Sequence, residues 1–203
     1  MIVRLSAASG CNVSRETFEK LERFAALIVE TNRSQNLVAA TSIPELWERH
    51  ILDGAQLYGV ANSRGNWCDI GSGPGLPGLV IAIIGDVPIT LIEPRRLRAE
   101  FLRHAIDQLS LTRVVVEQKK VEQVSGRYDH ITARAVARLG KLFAMANHLA
   151  HEGTRWVLPK GESVKSELDE ARQTWQGEFR LVPSQTHEKA AIVIAEHVRR
   201  RGK

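Results

Sequence analysis

The sequence predicts an α/β protein whose mainly parallel sheet ends in an antiparallel hairpin. Short apolar runs alternate with helical patterns from Gly65 onward, which is typical of a parallel sheet covered on both faces. A glycine-rich loop directly follows the first apolar run and precedes a helix, as at the ligand-binding edge of such sheets. The last two runs have no helical pattern between them, so we expect them to pair antiparallel.

Composition limits the classes of protein to which the chain can belong. The chain has 203 residues, 43% hydrophobic and 25% charged, a balance typical of one globular domain. No apolar run approaches the ~18 residues of a membrane span and the start lacks a signal-peptide pattern, so we expect a cytoplasmic protein. Cys11 and Cys68 are far apart and lack metal-ligand spacing, which predicts reduced thiols and no metal site.

Two helices are predicted before the first strand. The first covers residues 14–32, where apolar residues recur at helical spacing and Ser14 is placed to cap the N-terminus. The second covers 42–57, with Pro44 in its first turn. We therefore divide the single domain into a helical extension, a Rossmann-like catalytic core and a basic tail, at residues 1–62, 63–198 and 199–203.

Seven strands with helices between them are predicted in the core. Each strand is a short run of apolar and β-branched residues, and each helix shows apolar residues three or four positions apart. The predicted strands cover residues 67–70, 89–92, 114–116, 130–133, 155–158, 179–182 and 191–195. The helical patterns cover residues 79–84, 97–109, 139–149 and 164–175, with a short piece at 121–124.

The loop after the first strand carries the strongest local signal, DIGSGPGLPG. Its second half matches G-x-G-x-x-G, the dinucleotide fingerprint. A pyrophosphate needs free backbone N–H groups at a positive helix end, whereas Pro74 and Pro77 each remove a donor and Asp69 adds negative charge. S-adenosylmethionine carries a sulfonium and an ammonium but no phosphate, so an acid beside the loop suits it. The loop therefore favours S-adenosylmethionine over a dinucleotide.

A second acid supports an adenosine ligand. Glu93 ends the second strand, 22 residues after Gly71, where a carboxylate can accept hydrogen bonds from both ribose hydroxyls. A dinucleotide would use the same acid, so Glu93 does not separate the two cofactors. Together with Asp69, the glycines Gly71 and Gly73, which let a ligand approach the backbone closely, complete this part of the predicted cofactor site.

Several blocks of sequence, spread over nearly the whole chain, resemble one bacterial family. It is the family of small-subunit ribosomal RNA guanine-N7 methyltransferases of the glucose-inhibited division protein B type. The blocks are Asn36-Leu37, Arg49-His50-Ile51-Leu52-Asp53, the glycine loop, Glu93 with Phe101-Leu102, Val121-Glu122, Ala133-Arg134-Ala135 and Leu158-Pro159-Lys160-Gly161. Their combination in this order is more specific than the loop alone.

The resemblance implies the fold and part of the site. It implies the seven-stranded class I methyltransferase sheet with extra N-terminal helices, and S-adenosylmethionine as the cofactor. Family members bind this cofactor at the positions that correspond here to Gly71, Leu76, Val121, Glu122 and Arg134.

The implied reaction does not require a base. Guanine N7 has a lone pair and no proton to lose, so transfer depends on in-line alignment more than on a general base. The catalytic residue stays unassigned, with three candidates. His50 and Asp53 share one face of the second predicted helix, which suits an acid–imidazole pair or simply a packing hydrogen bond. Lys160 follows the fifth strand, where it either places an ammonium near RNA phosphate or belongs to the turn that ends the strand.

Positive charge is carried by 20 Arg and 8 Lys, giving a net charge of +5. The expected partner is 16S ribosomal RNA, within the small subunit, bound by a monomer. Three alternatives stay open: a small-molecule methyltransferase, a nonenzymatic RNA-binding factor with the same fold, and a nicotinamide oxidoreductase. Basic residues expected near the carboxyl ends of the strands, facing RNA, are Arg95, Arg96, Arg134, Arg138 and Lys160.

Overall fold

The computed structural model describes residues 1–61 and 64–202, and its core is a seven-stranded sheet. The strands lie in the order β3-β2-β1-β4-β5-β7-β6. Strands β1 to β5 run parallel, whereas β7 is antiparallel to both β5 and β6, so the predicted fold and its terminal hairpin are confirmed. The strands are β1 Trp67–Ile70, β2 Ile89–Ile92, β3 Val114–Glu117, β4 Tyr128–Ala133, β5 Ala150–Lys160, β6 Trp175–Pro183 and β7 Ala191–Arg200.

Seven α-helices surround this sheet in the described residues. The first of them, Ile2–Ser9, was not predicted from the sequence. The second begins where the sequence predicts, because the Ser14 hydroxyl accepts a hydrogen bond from the Thr17 N–H at 3.1 Å. The helices are α1 Ile2–Ser9, α2 Arg15–Gln35, α3 Asp53–Ala61, α4 Gly78–Gly85, α5 Arg96–Gln108, α6 Leu139–Ala146 and α7 Val164–Thr174.

The predicted helix at residues 42–57 is not a single α-helix. A short 3₁₀ turn at Ala40–Ser42 is followed by a π-helical segment at Trp47–Leu52, which continues directly into α3. Hydrophobic spacing does not report such a change of winding, because it follows side chains and not the hydrogen-bond pattern. Short π-helical segments occur frequently at functional sites, and this one carries His50.

Two apolar layers bury the sheet. Helices α1 to α5 contribute to one layer, and α6 and α7 contribute to the other. Strand β1 serves both, because Trp67 points into the first layer while Cys68 and Ile70 point into the second. No helix within residues 1–61 and 64–202 has the length and apolar character needed to cross a membrane.

The C-terminal residues differ from the basic tail expected at 199–203. Strand β7 continues to Arg200, whose guanidinium lies 5.8 Å from the ring centre of Trp175. The Arg201 N–H donates to the Thr174 carbonyl at 2.9 Å. Pairing of β7 with β6 and the bond to Thr174 therefore hold Arg200 and Arg201 against the folded domain. Lys203 and the boundary expected between residues 62 and 63 lie outside the described residues.

Candidate active site

Two adjoining clefts lie at the carboxyl edge of the parallel strands. The first has a volume of about 590 Å³ and the second about 630 Å³, both in the range of small-ligand sites. A depression of about 710 Å³ elsewhere, beside His151 and His197, contains none of the predicted site residues. The wall between the two clefts is formed by the residues that line both of them, which are Arg49, His50, Arg134, Ala135 and Val136.

The glycine loop at residues 71–78 forms one wall of the first cleft and uses all its backbone donors internally. The N–H groups of Gly71 and Ser72 both donate to the Ile92 carbonyl, at 2.8 and 3.0 Å. Those of Gly75 and Leu76 donate to the Ser72 carbonyl, at 2.8 and 3.3 Å. The N–H groups of Gly73 and Gly78 donate to carboxylates, and the two remaining positions are prolines. No N–H in this loop is left to bind a phosphate.

Two buried carboxylates accept the remaining loop donors. Glu93 accepts from the Gly73 N–H with Oε2 and from the Arg95 N–H with Oε1, each at 2.9 Å. Asp69 is fully buried beneath the loop, where Oδ2 accepts from the Gly78 N–H at 3.2 Å and Oδ1 has no hydrogen-bond partner. Burial raises the pKa of Asp69 to about 7. The Glu93 carboxylate places negative charge beside the first cleft, which suits a cationic ligand.

This arrangement fits S-adenosylmethionine better than a dinucleotide. Each Glu93 oxygen accepts one hydrogen bond within the protein and retains a lone pair for a ribose hydroxyl. Glu93 also lines the first cleft, whereas Asp69 lies behind the loop and does not reach it. A loop without free N–H groups, with the Glu93 carboxylate beside it, lacks what a pyrophosphate needs and suits a ligand that carries positive charge.

Close packing explains two of the loop glycines. Gly71 has φ +67°, and a Cβ there would lie 2.7 Å from Cγ2 of Val136. Gly73 has φ +55°, and a Cβ there would lie 3.1 Å from Nη1 of Arg98. Positive φ values and close neighbours both favour glycine at these positions. The first contact connects the loop with the wall between the clefts.

Arg134 is the centre of that wall. Its Nη1 donates to His50 Nδ1 at 2.9 Å and to the Arg49 carbonyl at 3.2 Å, and lies 3.7 Å from Asp53 Oδ2. Burial lowers the pKa of Arg134, while Asp53 and Asp69 oppose that effect. The guanidinium nevertheless stays charged, as arginine does throughout proteins.

His50 and Asp53 therefore meet through Arg134 and do not form the direct acid–imidazole pair suggested by their spacing. Burial and then the charge of Arg134 lower the pKa of His50 to about 4. Because Arg134 can only donate, we assign the proton to Nε2, which lies 3.3 Å from Ser42 Oγ. Both ring nitrogens are thus engaged, and neither is free to accept a proton from a substrate.

Lys160 has a structural partner. Its Nζ donates to the Ala137 carbonyl at 2.7 Å and lies 3.0 Å from Glu167 Oε2 in the second cleft. The two charged side chains are only 11% and 10% exposed. Burial would raise the pKa of Glu167, but hydrogen bonding and attraction to Lys160 outweigh it and lower that pKa. The ammonium is therefore committed within the protein.

The remaining predicted residues lie at varying distances from the clefts. Arg95 lines the first cleft and Arg138 the second, where it pairs with Glu170 at 2.6 Å. Arg96 is exposed on α5 and pairs with Glu100 at 2.7 Å. Val121 and Glu122 follow β3 on a 3₁₀ turn outside the lining of either cleft, one buried and one exposed, and remain predictions as cofactor contacts.

Some cleft residues were missed by sequence reasoning. Leu37 and Ser42, from the segment between α2 and α3, line the first cleft together with Arg98. The Asn36-Leu37 block was a signal for this segment, but its distance along the chain from the loop concealed the contact. Within residues 1–61 and 64–202, no group of three or more His, Cys, Asp or Glu side chains is arranged to hold a metal ion.

The chain is similar in sequence to one family of known proteins. The family model for rRNA small subunit methyltransferase G (GidB) matches residues 17–193. A protein of Rhizorhabdus wittichii named ribosomal RNA small subunit methyltransferase G is 42% identical over 196 residues, covering 94% of this chain and 90% of the relative. A protein of the same name from Zymomonas mobilis is 40% identical, covering 92% and 88%.

Solved structures show the same fold at low sequence identity. A putative S-adenosyl-L-methionine-dependent methyltransferase from Methanococcus maripaludis has a TM-score of 0.60 and 14% identity, covering 88% of this chain and 94% of that chain. A SAM-dependent methyltransferase from Aquifex aeolicus has a TM-score of 0.59 and 14% identity, covering 76% and 93%. These likenesses establish the class I methyltransferase architecture.

Proposed function

Because the chain belongs to the rRNA small subunit methyltransferase G family, we propose that it methylates N7 of a specific guanine in 16S ribosomal RNA. Family membership makes it a methyltransferase that uses S-adenosylmethionine and acts on small-subunit ribosomal RNA. The proposal adds the N7 position, the roles of individual residues, and action as a cytoplasmic monomer on RNA within the small subunit.

The closed glycine loop is the observation that carries the choice of cofactor. Every N–H in residues 71–78 already has an acceptor within the protein. A nicotinamide dinucleotide would find no donors there for its pyrophosphate. The Glu93 carboxylate beside the loop instead favours the positive charges of S-adenosylmethionine, so the oxidoreductase alternative loses its main support.

Each of the two clefts takes one reactant in this proposal. In the first, Glu93 would bind the ribose and Gly71 and Leu76 would contact the cofactor through close backbone approach. The cofactor supplies an electrophilic methyl group on a sulfonium. The guanine would occupy the second cleft, with Arg134 between the two reactants. Arg95 and Arg138, on the rims of the two clefts, would contact RNA phosphates.

Methyl transfer to labelled substrate tests the function. Purified protein and methyl-labelled S-adenosylmethionine are incubated with 16S RNA, or with small subunits, from a strain that lacks the protein, and the modified nucleotide is mapped by mass spectrometry. We expect one N7-methylguanine. No label on either substrate, or label on another atom, contradicts the proposal.

A matched pair of variants tests the cofactor site. Glu93→Gln should weaken binding of S-adenosylmethionine in calorimetry, because it removes a charged acceptor beside the first cleft. Glu100→Gln makes the same change on the exposed face of α5 and should bind normally. Binding without transfer would favour the nonenzymatic RNA-binding factor. Transfer to a small molecule, with affinity insensitive to salt, would favour the small-molecule enzyme.

A further inference from the structure

A buried polar network connects α3 with the loop at residues 184–190 between β6 and β7. Its centre is Gln56, which is 1% exposed. The Gln56 amide donates to Asp53 Oδ1 at 2.7 Å and to Ser184 Oγ at 3.1 Å, and Oε1 accepts from the Gln185 N–H at 2.8 Å. The bonds to Ser184 and Gln185 connect residues about 130 positions apart in the sequence.

The donors and acceptors of this network form one directed arrangement. Thr186 Oγ1 donates to Asp53 Oδ1 at 3.0 Å, which leaves Thr186 to accept from Ser184 Oγ at 3.0 Å. Ser184 in turn accepts from the Gln56 amide and from the Thr186 N–H. Asp53 Oδ1 thus receives two hydrogen bonds, which leaves Oδ2 turned toward Arg134.

Gln56 lies behind the second cleft, and the other three residues of the network, Asp53, Ser184 and Thr186, line it. None of these four residues lines the first cleft. A residue that fixes one wall of a cleft from behind controls which ligand that wall accepts, because loops hold precise geometry only when they are anchored.

We propose that Gln56 is a positioning residue for the RNA substrate. It anchors the 184–190 loop as a wall of the second cleft and, through Asp53, orients Arg134. This inference rests on the proposed function, since it assumes that the second cleft receives the target nucleotide. A buried amide with all its partners in place is costly to disturb, so its removal should be felt at the wall it supports.

Three variants separate anchoring from general stability. Gln56→Leu removes all hydrogen bonds of the amide at similar volume. Thr186→Val removes the hydroxyl that donates to Asp53 and accepts from Ser184 and Gln56, on a half-buried loop residue whose substitution should leave the fold intact. Gln185→Ala is the matched control, because its side chain is exposed and only its backbone N–H bonds to Gln56.

The readouts are steady-state kinetics with small subunits as the RNA substrate, calorimetry with S-adenosylmethionine, and amide hydrogen exchange of Gln185. We expect Gln56→Leu and Thr186→Val to lower kcat/KM for RNA by about tenfold or more, the effect of one buried polar group left unpaired. The affinity for S-adenosylmethionine should fall much less than kcat/KM, because Arg134 lines both clefts whereas Gln56, Asp53, Ser184 and Thr186 do not line the first. Gln56→Leu alone should abolish exchange protection of the Gln185 amide, and Gln185→Ala should behave as wild type in kinetics and calorimetry.

Three results would overturn the inference. Wild-type kcat/KM in both Gln56→Leu and Thr186→Val would show that the wall does not position the substrate. Loss of S-adenosylmethionine affinity in step with kcat/KM would show that the network supports the whole fold. Unchanged protection of Gln185 in Gln56→Leu would show that there is no anchor. If the wild type itself transfers no methyl group, the proposed function fails, while hydrogen exchange still decides whether Gln56 holds the loop.

Discussion

Gly71→Ala tests the contact between the glycine loop and the wall between the clefts. Alanine at φ +67° costs about 1–2 kcal/mol in the left-handed region. Its Cβ would also lie 2.7 Å from Cγ2 of Val136, and overpacking of this kind costs about 1–3 kcal/mol. Val136 gives way poorly, because a β-branched side chain has little rotamer freedom. The total penalty is therefore about 2–5 kcal/mol.

That penalty has to appear either in folding or in cofactor binding. If the loop keeps its conformation in the free protein, the free energy of unfolding falls by the full amount. If the loop relaxes, stability is preserved, but the cofactor must restore the bound conformation and its Kd rises about tenfold per 1.4 kcal/mol. The sum of the two changes is fixed by the bound state, so it should be about 2–5 kcal/mol however it is divided.

A double-mutant cycle isolates the steric part. Urea unfolding and calorimetry with S-adenosylmethionine are measured for Gly71→Ala, Val136→Ala and the double variant. Removing the valine methyl groups should recover about 1–3 kcal/mol of the sum, leaving only the backbone strain. A sum below about 1 kcal/mol, or the same sum with alanine at 136, would refute the argument that Gly71 is required by this contact.

Three further predictions concern charged side chains. Burial raises the pKa of Asp69 to about 7 in the folded protein, above its unfolded value, so the free energy of unfolding falls as the pH rises from about 4 to 7. Burial lowers the pKa of both His50 and His130 to about 4, so these groups raise the free energy of unfolding as the pH rises from about 4 to 6.5. In urea unfolding between pH 4 and 8, the free energy of unfolding of Asp69→Asn should therefore increase more steeply with pH than that of the wild type. The same pH dependence in both proteins would contradict the raised pKa of Asp69. Lys160→Met should destabilise the protein by about 3 kcal/mol by leaving Glu167 unpaired, and Lys160→Met/Glu167→Leu by less. The salt dependence of RNA affinity should be unchanged in the Lys160→Met/Glu167→Leu variant, whereas Arg95→Gln should reduce its slope by about one charge contact. A smaller slope in the double variant and an unchanged slope in Arg95→Gln would instead assign the phosphate contact to Lys160.

Periodicity and spacing predicted the fold and much of the site because each depends on local sequence. The core of every strand was predicted, and Glu93 was correctly expected beside the glycine loop because parallel strands end at one edge. Helix α1 was missed, because eight residues at the start of the chain give too short an apolar pattern. The π-helical segment was missed because its side-chain spacing resembles that of an α-helix.

Partners far apart in sequence could not be predicted. Lys160 was expected to face RNA, but Glu167 neutralises it after α7 folds back over the second cleft. The spacing of His50 and Asp53 suited either an acid–imidazole pair or a packing hydrogen bond. Asp53 instead bonds to Gln56 on its own helix and to Thr186 on a distant loop. Local spacing identifies which groups share a helix face, but it does not identify which group from another element bonds to them. The charged side chains of Asp53, Arg134 and Lys160 thus line the second cleft, but their partners within the protein were not predicted.

The state of His50 connects these partnerships to the chemistry. A neutral imidazole whose Nδ1 accepts from Arg134 and whose Nε2 donates to Ser42 has no lone pair left for a proton. Protonation would place a second cation against Arg134, which is one reason the pKa is held at about 4. An enzyme that deprotonates its substrate would need such a base free near neutral pH. Guanine N7 offers a lone pair and no proton, so an imidazole that lines both clefts and has both ring nitrogens engaged matches that acceptor.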